Sequence, residues 1–279
     1  MSRTRAPRQA VVTLPALDLR FEPRHAAELG SQLLLGETVR ILSAAGTGAA
    51  RGWVRVRNDA DGYSGWVREW GLVPASAARV ATWRRKARGF ISVPLAQVLT
   101  GPGRGAAVSP VFFGNRVIAG PARAGQRAVE LPDGRRGFLP ASAFASARRV
   151  TLAERVLALL GTPYLWGGRT PAGYDCSAFV QQVLLEQGVA LPRDAKDQHR
   201  RCRKLPAGGG ASPGDLVFFR RPGEAPSHVG IALGDNYFAH CRGRVQVASA
   251  DPADPVCDHD LLPQFMGWFQ VAPVGKRVS

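Results

Sequence analysis

The stretch TPYLWGGRTPAGYDCSAFV, residues 162–180, decides how the rest of the chain is read. Pro163, Gly167, Gly168, Pro171 and Gly173 punctuate its first half as a loop. From Cys176 onward apolar residues recur at 179, 180, 183 and 184, one face of a helix, until Gly188 ends it. Cys176 thus stands in the first turn of a predicted helix, where unpaired N–H groups and the helix dipole favour thiolate. Asp175 is placed to cap that helix and to oppose the ionisation slightly. A buried structural cysteine is the ordinary alternative, and what separates the two readings lies further along.

Beyond the helix come a polar segment, PRDAKDQHRRCRKL (192–205), and a glycine-rich loop at 208–210. Strands follow: LVFF at 216–219, VGIAL at 229–233 and YFAH at 237–240. Side chains alternate along a strand, so His228, Gly230 and Ala232 share a face, with small residues leaving room beside the histidine. Gly234-Asp235-Asn236 reads as a three-residue hairpin loop. If Leu233 pairs with Tyr237, Gly230 lies opposite His240, and His228 and His240 share a face of adjacent strands. A slip of one residue would separate them.

A thiol at a helix start and two histidines on one sheet face compose a cysteine hydrolase. Thiolate is the attacking species, so Cys176 needs a base, and His228 is the candidate. That base needs a polar group to hold its tautomer, a task His240 can perform. The oxyanion formed on attack needs donors: the backbone N–H of Cys176 is one, and the Tyr164 hydroxyl is a second candidate.

The remainder reads as smaller β units. Residues 11–79 alternate short strands (VVTL, TVRILS, GWVRVR, YSGWVR) with turns. Asp61-Gly62-Tyr63-Ser64-Gly65-Trp66-Val67 and Asp133-Gly134-Arg135-Arg136-Gly137-Phe138-Leu139 share the form DGxxG-aromatic-aliphatic. Upstream, Gly36-Glu37-Thr38-Val39 matches Gly114-Asn115-Arg116-Val117, which suggests two copies of one small barrel. The Arg/Lys-rich stretch 81–89 reads as the linker between them. Thr151-Leu152-Ala153-Glu154 is a capping box opening a helix, so the last boundary falls near 149. The expected fold is therefore multidomain: all-β barrels at 1–80 and 81–148, then an α+β domain at 149–279.

Composition narrows the classes. With 37 Lys and Arg against 21 Asp and Glu, the net charge is +16, spread along the chain without a long block. No recognition helix, zinc finger or RNP signature accompanies it, so nucleic acid is not expected, and a solvated basic surface or attraction of acidic substrates accounts for the charge. The four cysteines lack metal-ligand spacing, and neither a metal nor a cofactor is expected. No apolar run reaches a membrane span, and the N-terminal residues lack the apolar core of an export signal. Free thiols in a reducing, cytoplasmic compartment are the expectation.

The motifs PYLWGG, YDCSAFVQ, SPGDLVFF, SHVGIALG and YFAH, in that order, resemble the NlpC family of papain-like cysteine peptidases over residues 150–270. The DG-turn strands resemble bacterial SH3-like domains, although the second copy lacks the tryptophan. The resemblance implies Cys176 as nucleophile, His228 as general base, His240 as the orienting residue and Tyr164 as oxyanion donor, with Trp166, Asp175 and Ser177 lining the cleft. Such enzymes cut cell-wall peptides between D-γ-glutamate and a diamino acid. The dipeptidyl-peptidase VI-like branch carries two SH3-like domains and acts on peptidoglycan-derived peptides with a free N-terminal L-Ala, during wall recycling. In that branch an Asp after an Arg holds the substrate ammonium, which implies Asp194, assisted by Glu28 and Tyr63 at the matching positions. Ala195, where serine is usual, and Cys241, where alanine is usual, depart from the pattern. Two rival expectations are a wall- or polyanion-binding protein with an idle catalytic domain, and an amidase or acyl-transfer enzyme on the same scaffold.

Overall fold

The structure, a computed structural model, describes residues 8–44, 48–145, 150–206, 208 and 210–272. The basic residues 1–7, the predicted boundary at 148–149 and Gly209 lie outside the described residues. The chain forms two compact units: Met1–Val150 with Trp166–Pro171, and Thr151–Leu165 with Ala172–Ser279.

The N-terminal unit contains two antiparallel sheets. The first comprises β1 (Gln9–Val12), β2 (Ala16–Arg20), β3 (Leu29–Leu34), β4 (Thr38–Ala44), β5 (Trp53–Asn58), β6 (Ser64–Arg68) and β7 (Leu72–Ala75), in the order β3-β2-β6-β5-β4-β1-β7. Its core gathers Val12, Leu17, Leu19, Leu33, Val39, Val56 and Val67, all inward-facing positions of alternating strands. The second comprises β8 (Gly89–Phe90), β9 (Leu95–Gly101), β10 (Arg104–Phe112), β11 (Arg116–Arg123), β12 (Gln126–Glu130) and β13 (Arg136–Pro140), in the order β10-β9-β13-β12-β11-β8. It has a separate core around Ile91, Val98, Val111, Val117 and Leu139.

The repeated sequence motif has a shared local structure. In each hairpin a glycine, Gly62 or Gly134, takes a positive φ after an aspartate. The Asp61 carboxylate accepts from the Tyr63 N–H at 3.0 Å, and Asp133 does the same for Arg135 at 3.1 Å. The two sheets interlock through backbone. The Arg116 N–H donates to the Leu35 carbonyl at 2.9 Å, and a Cβ on neighbouring Gly36 would stand 2.3 Å from the Arg116 carbonyl oxygen. Only glycine fits there.

The stretch read as a linker is largely a helix, α1 (Ala77–Lys86), capped by Ser76. Val80, Trp83 and Ala87 pack with Val11 and Ala75, and the Trp83 indole N–H donates to the Gly36 carbonyl at 2.9 Å. An apolar stripe at 80, 83 and 87 was hidden by the surrounding arginines. Those at 84 and 85, with Lys86, suit the negative end of the helix dipole.

The segment 166–171 belongs to this unit because it is built into the first sheet. The Arg169 guanidinium, 1% exposed, donates to both Glu37 carboxylate oxygens at 3.0 and 3.1 Å and to the Gln32 carbonyl at 2.7 Å. Glu37 also accepts from the Leu34 N–H and the Asn58 amide, so its carboxylate is met by donors from three other residues. Gly167 has a positive φ, and a Cβ there would lie 2.5 Å from the Leu29 carbonyl oxygen. Its place in the WGG motif is steric.

The C-terminal unit places helices first. α2 (Leu152–Leu159) opens with the predicted capping box, Thr151 and Glu154 satisfying each other's backbone N–H groups. β14 (Arg169–Thr170) lies in the preceding unit, and β15 (Gly173–Tyr174) leads into α3 (Cys176–Glu186). α3 ends in a Schellman motif: Val189 N–H bonds the Leu184 carbonyl and Gly188, at positive φ, bonds Leu185. Every residue from Cys176 to Leu184 is buried, so α3 is a central helix and not the one-faced helix that its apolar spacing implies. The buried ion pair of Arg155 with Glu186 ties α2 to its end. α4 (Ala195–Arg200) follows.

The closing sheet comprises β16 (Cys202–Lys204), β17 (Leu216–Phe219), β18 (His228–Gly234), β19 (Tyr237–Arg242), β20 (Arg244–Ser249) and β21 (Phe265–Val271), in the order β16-β21-β17-β18-β19-β20. α3 packs on β18 and β19. The register pairs Gly230 with His240 and Ala232 with Phe238, as anticipated. The turn differs: a bulge lets Gly234 pair with Tyr237 around a two-residue loop, Asp235-Asn236, both at positive φ. That is the loop whose twist suits adjoining strands. Among the described residues, no helix is long and apolar enough to cross a membrane.

Candidate active site

The nucleophile candidate is positioned by its neighbours on either side. Asp175 caps α3 by accepting from the Ala178 N–H at 2.8 Å, which puts Cys176 at the first helical position. The same carboxylate is gripped by buried Arg193, whose guanidinium also donates to the Ser177 hydroxyl at 2.9 Å. Gln198, fully buried on α4, donates to the Ser177 carbonyl and to the Pro192 carbonyl, each at 2.9 Å. Asp175 and Ser177 are therefore buried and hold the helix start, the aspartate through a cap and an ion pair.

The Cys176 sulfur lies 3.9 Å from the Ser227 carbonyl oxygen, and the Val229 N–H also faces it. These two groups flank His228 in the chain. His228 Nε2 is 2.8 Å from His240 Nδ1, so the two imidazoles share a hydrogen bond. His240 is fully buried beneath Phe238, ring against ring at 5.1 Å. On its far side, His240 Nε2 meets the Gln246 side-chain amide at 3.3 Å, across the β19–β20 pair.

Burial governs the charge states. It pushes the Cys176 thiol up to about 12, with Asp175 adding to the rise and the Val229 N–H and Arg193 opposing it. The expected thiolate is thus outweighed in the free protein: desolvation exceeds what the helix start supplies. Burial likewise lowers His228 to about 3, helped by His240 and Arg242. It lowers His240 to about 4, against the pull of Asp258. Burial thus pushes all three groups toward their neutral forms.

Tyr164 is held by its backbone, its N–H bonding the Gly243 carbonyl at 2.8 Å and its residue bridging Tyr174. Burial, joined by the charges of Cys176 and Asp175, holds its phenol well above the ordinary range, so the hydroxyl stays protonated. Cys241 points to the other face of β19, fully buried, its thiol donating to the Tyr174 carbonyl at 3.2 Å. Asp194 is half-buried at the N-cap of α4, where its side chain makes no cap bond.

Glu28, Tyr63 and Trp166 lie in the N-terminal unit. Exposed Glu28 accepts from the Trp166 indole N–H at 2.9 Å, and Tyr63 packs partly buried against the first core. Sequence reasoning missed Gln198 and Gln246 and took Arg193 only as a signpost for Asp194. Only the register of β20 could have flagged Gln246, which stands opposite His240.

A model of the NlpC/P60 family matches residues 161–259, and one described as a bacterial dipeptidyl-peptidase Sh3 domain matches residues 19–72. The first spans Cys176, His228, His240 and Gln246. Dipeptidyl-peptidase 6 of Lysinibacillus sphaericus is 27% identical over 270 residues, 90% of this chain and 95% of that protein. The bifunctional muramidase/DL-endopeptidase CwlT of Bacillus subtilis is 42% identical over 88 residues, but the match spans only 26% of its length. An NlpC/P60 family protein from Bacillus cereus superposes with a TM-score of 0.78 at 19% identity, over 95% of this chain and all of that one, a likeness of fold.

Proposed function

We propose that this chain, which carries an NlpC/P60 domain and a bacterial dipeptidyl-peptidase SH3 domain, is a cysteine peptidase of peptidoglycan-derived peptides. Its bond is the one between D-γ-glutamate and a diamino acid, its substrates carry a free N-terminal L-Ala, and it works in cytoplasmic recycling of wall fragments. The observation that carries the reading is the 2.8 Å bond between His228 and His240 beside a thiol at the start of α3.

With Nε2 engaged by His240, His228 has Nδ1 left for the cysteine. As a peptide carbonyl enters, the Cys176 proton passes to that nitrogen and the sulfur attacks the carbonyl carbon. Proton transfer coupled to attack suits a site where burial favours the neutral thiol and imidazoles. The oxyanion draws on the Cys176 backbone N–H and on Tyr164, which keeps its proton to donate. Collapse breaks the C–N bond, His228 hands its proton to the leaving amine, and water, deprotonated by the same ring, hydrolyses the thioester. Asp194 receives the substrate ammonium in this reading, which excludes peptides amidated at that amine. The excess of 37 basic over 21 acidic residues favours approach of such acidic peptides.

Hydrolysis of L-Ala-γ-D-Glu-diaminopimelate, beside the same peptide N-acetylated, tests this. Cleavage after D-Glu of the free peptide alone, abolished in Cys176→Ala, is the expected outcome. Equal cleavage of both peptides would remove the amine requirement, and cleavage of neither would remove the substrate.

A further inference from the structure

Gln246 sits where it controls a choice that the two histidines cannot make themselves. Each neutral imidazole carries one proton on one of two nitrogens, and in a chain of shared hydrogen bonds the first choice dictates the next. With the Gln246 amide nitrogen toward His240 Nε2, as it stands at 3.3 Å, that nitrogen must accept. His240 then carries its proton on Nδ1 and donates to His228 Nε2, across 2.8 Å. Neutral His228 is left with its proton on Nδ1, unable to take one from Cys176.

A half-turn of the amide presents oxygen in place of nitrogen. His240 now donates from Nε2, its Nδ1 accepts from His228 Nε2–H, and His228 Nδ1 offers a lone pair. The imidazolium that forms when Cys176 loses its proton makes the same demand, since its Nε2–H needs His240 Nδ1 as acceptor. Both productive states require an acceptor at position 246, and the unproductive state requires a donor. Glutamine supplies either.

Resting on the cysteine-peptidase reading, we propose that Gln246 is a positioning residue whose amide orientation selects the tautomers of His240 and His228. It thereby decides whether His228 can accept the Cys176 proton. The remaining groups around His240 are suited to bias charge more than tautomer. The ring is flanked by Phe238, and the Arg242 guanidinium lies in an ion pair with Asp258 at 2.7 Å. Those two charges act on His240 in opposite directions. Of the described side chains, Gln246 is the one bonded to His240 Nε2.

The test compares the full chain with Gln246→Glu, which only accepts, and Gln246→Met, which does neither. Nitrogen-15 NMR of histidine-labelled protein reads the tautomers directly. The rate of Cys176 alkylation by iodoacetamide against pH reads the base without any peptide. Gln246→Glu should hold His228 protonated on Nε2, keep activity and shift the acid limb of alkylation upward, because a carboxylate favours imidazolium.

Gln246→Met should mix the tautomers and lower kcat on the order of 10²-fold with KM little changed. Wild-type tautomers and a wild-type alkylation profile in both variants would overturn the proposal, as would a glutamate variant as impaired as the methionine one. Should Gln246→Met not fold, Gln246→Glu alone still decides through its tautomer. A wild type inert toward the peptide overturns the substrate, while the NMR and alkylation results rule on Gln246 independently.

Discussion

Two regions of the C-terminal unit meet at Cys176 and handle buried polarity in opposite ways. At the start of α3, Asp175 and Arg193 are kept charged, locked to each other and to Ser177. On the sheet, His228 and His240 are kept neutral, joined only by shared hydrogen bonds. The difference follows from what each must do. A buried ion pair fixes geometry but cannot move a proton without losing its partner's compensation. A neutral imidazole pair is a poorer anchor, yet it can pass a proton and reverse the transfer.

The largest effect should come from breaking the charged region. Arg193→Met leaves the Asp175 carboxylate buried without its partner, and urea unfolding should register a loss of about 3–5 kcal/mol. Adding Asp175→Asn to that variant should restore part of the loss, because the uncompensated charge is gone while a cap remains. No recovery in the double variant would mean that Arg193 acts through packing alone.

Breaking the neutral region should spare the fold and cost the chemistry. His240→Leu fills the site beneath Phe238 but cannot orient His228, so kcat on the proposed substrate should fall on the order of 10²-fold, worth about 2.7 kcal/mol. Unfolding free energy at pH 7.5 should stay within about 1.5 kcal/mol of wild type. A variant with full activity would show that His228 keeps its tautomer without help.

The smallest effect sharpens the contrast through pH. His228 and His240 titrate near 6.5 when unfolded but near 3 and 4 when folded, so between those limits the unfolded chain binds more protons. Their contribution is fully present above about pH 6.5 and is lost as pH falls through the window toward 4 and 3. Wild type should lose on the order of 1–2 kcal/mol more than His240→Leu between pH 7 and 4.5. Identical pH profiles would place the charge of His240 outside the stability of the fold.

Much of this site could be read directly from the residues. Gly and Pro before Cys176 and apolar spacing after it marked a helix start, and Asp175 caps it. Period-two alternation and a turn near 235 put His228 and His240 on one face, and the register survived a misjudged loop because the bulge lies at the hairpin end. The linker between the two sheets is mostly the Arg-rich helix α1, a form the sequence hides because charge texture conceals a stripe of only three apolar residues. Trp166 and Arg169 sit within the peptidase motif, yet they pack with the first sheet through Glu28, Gln32 and Glu37, far earlier in sequence.

The sequence by itself determined the parts whose signals are local: the capped helix bearing Cys176, the alternating strands with their histidines, and the aspartate-glycine turns. Tertiary structure alone decided which charges are paired and which groups stay neutral. Arg193 reaches Asp175 from 18 residues away, and Gln246 meets His240 only across a strand pair. Burial of Cys176 opposes the ionisation that its helix position favours. Periodicity and caps depend on near neighbours along the chain, whereas desolvation and ion pairing depend on what folding brings from elsewhere.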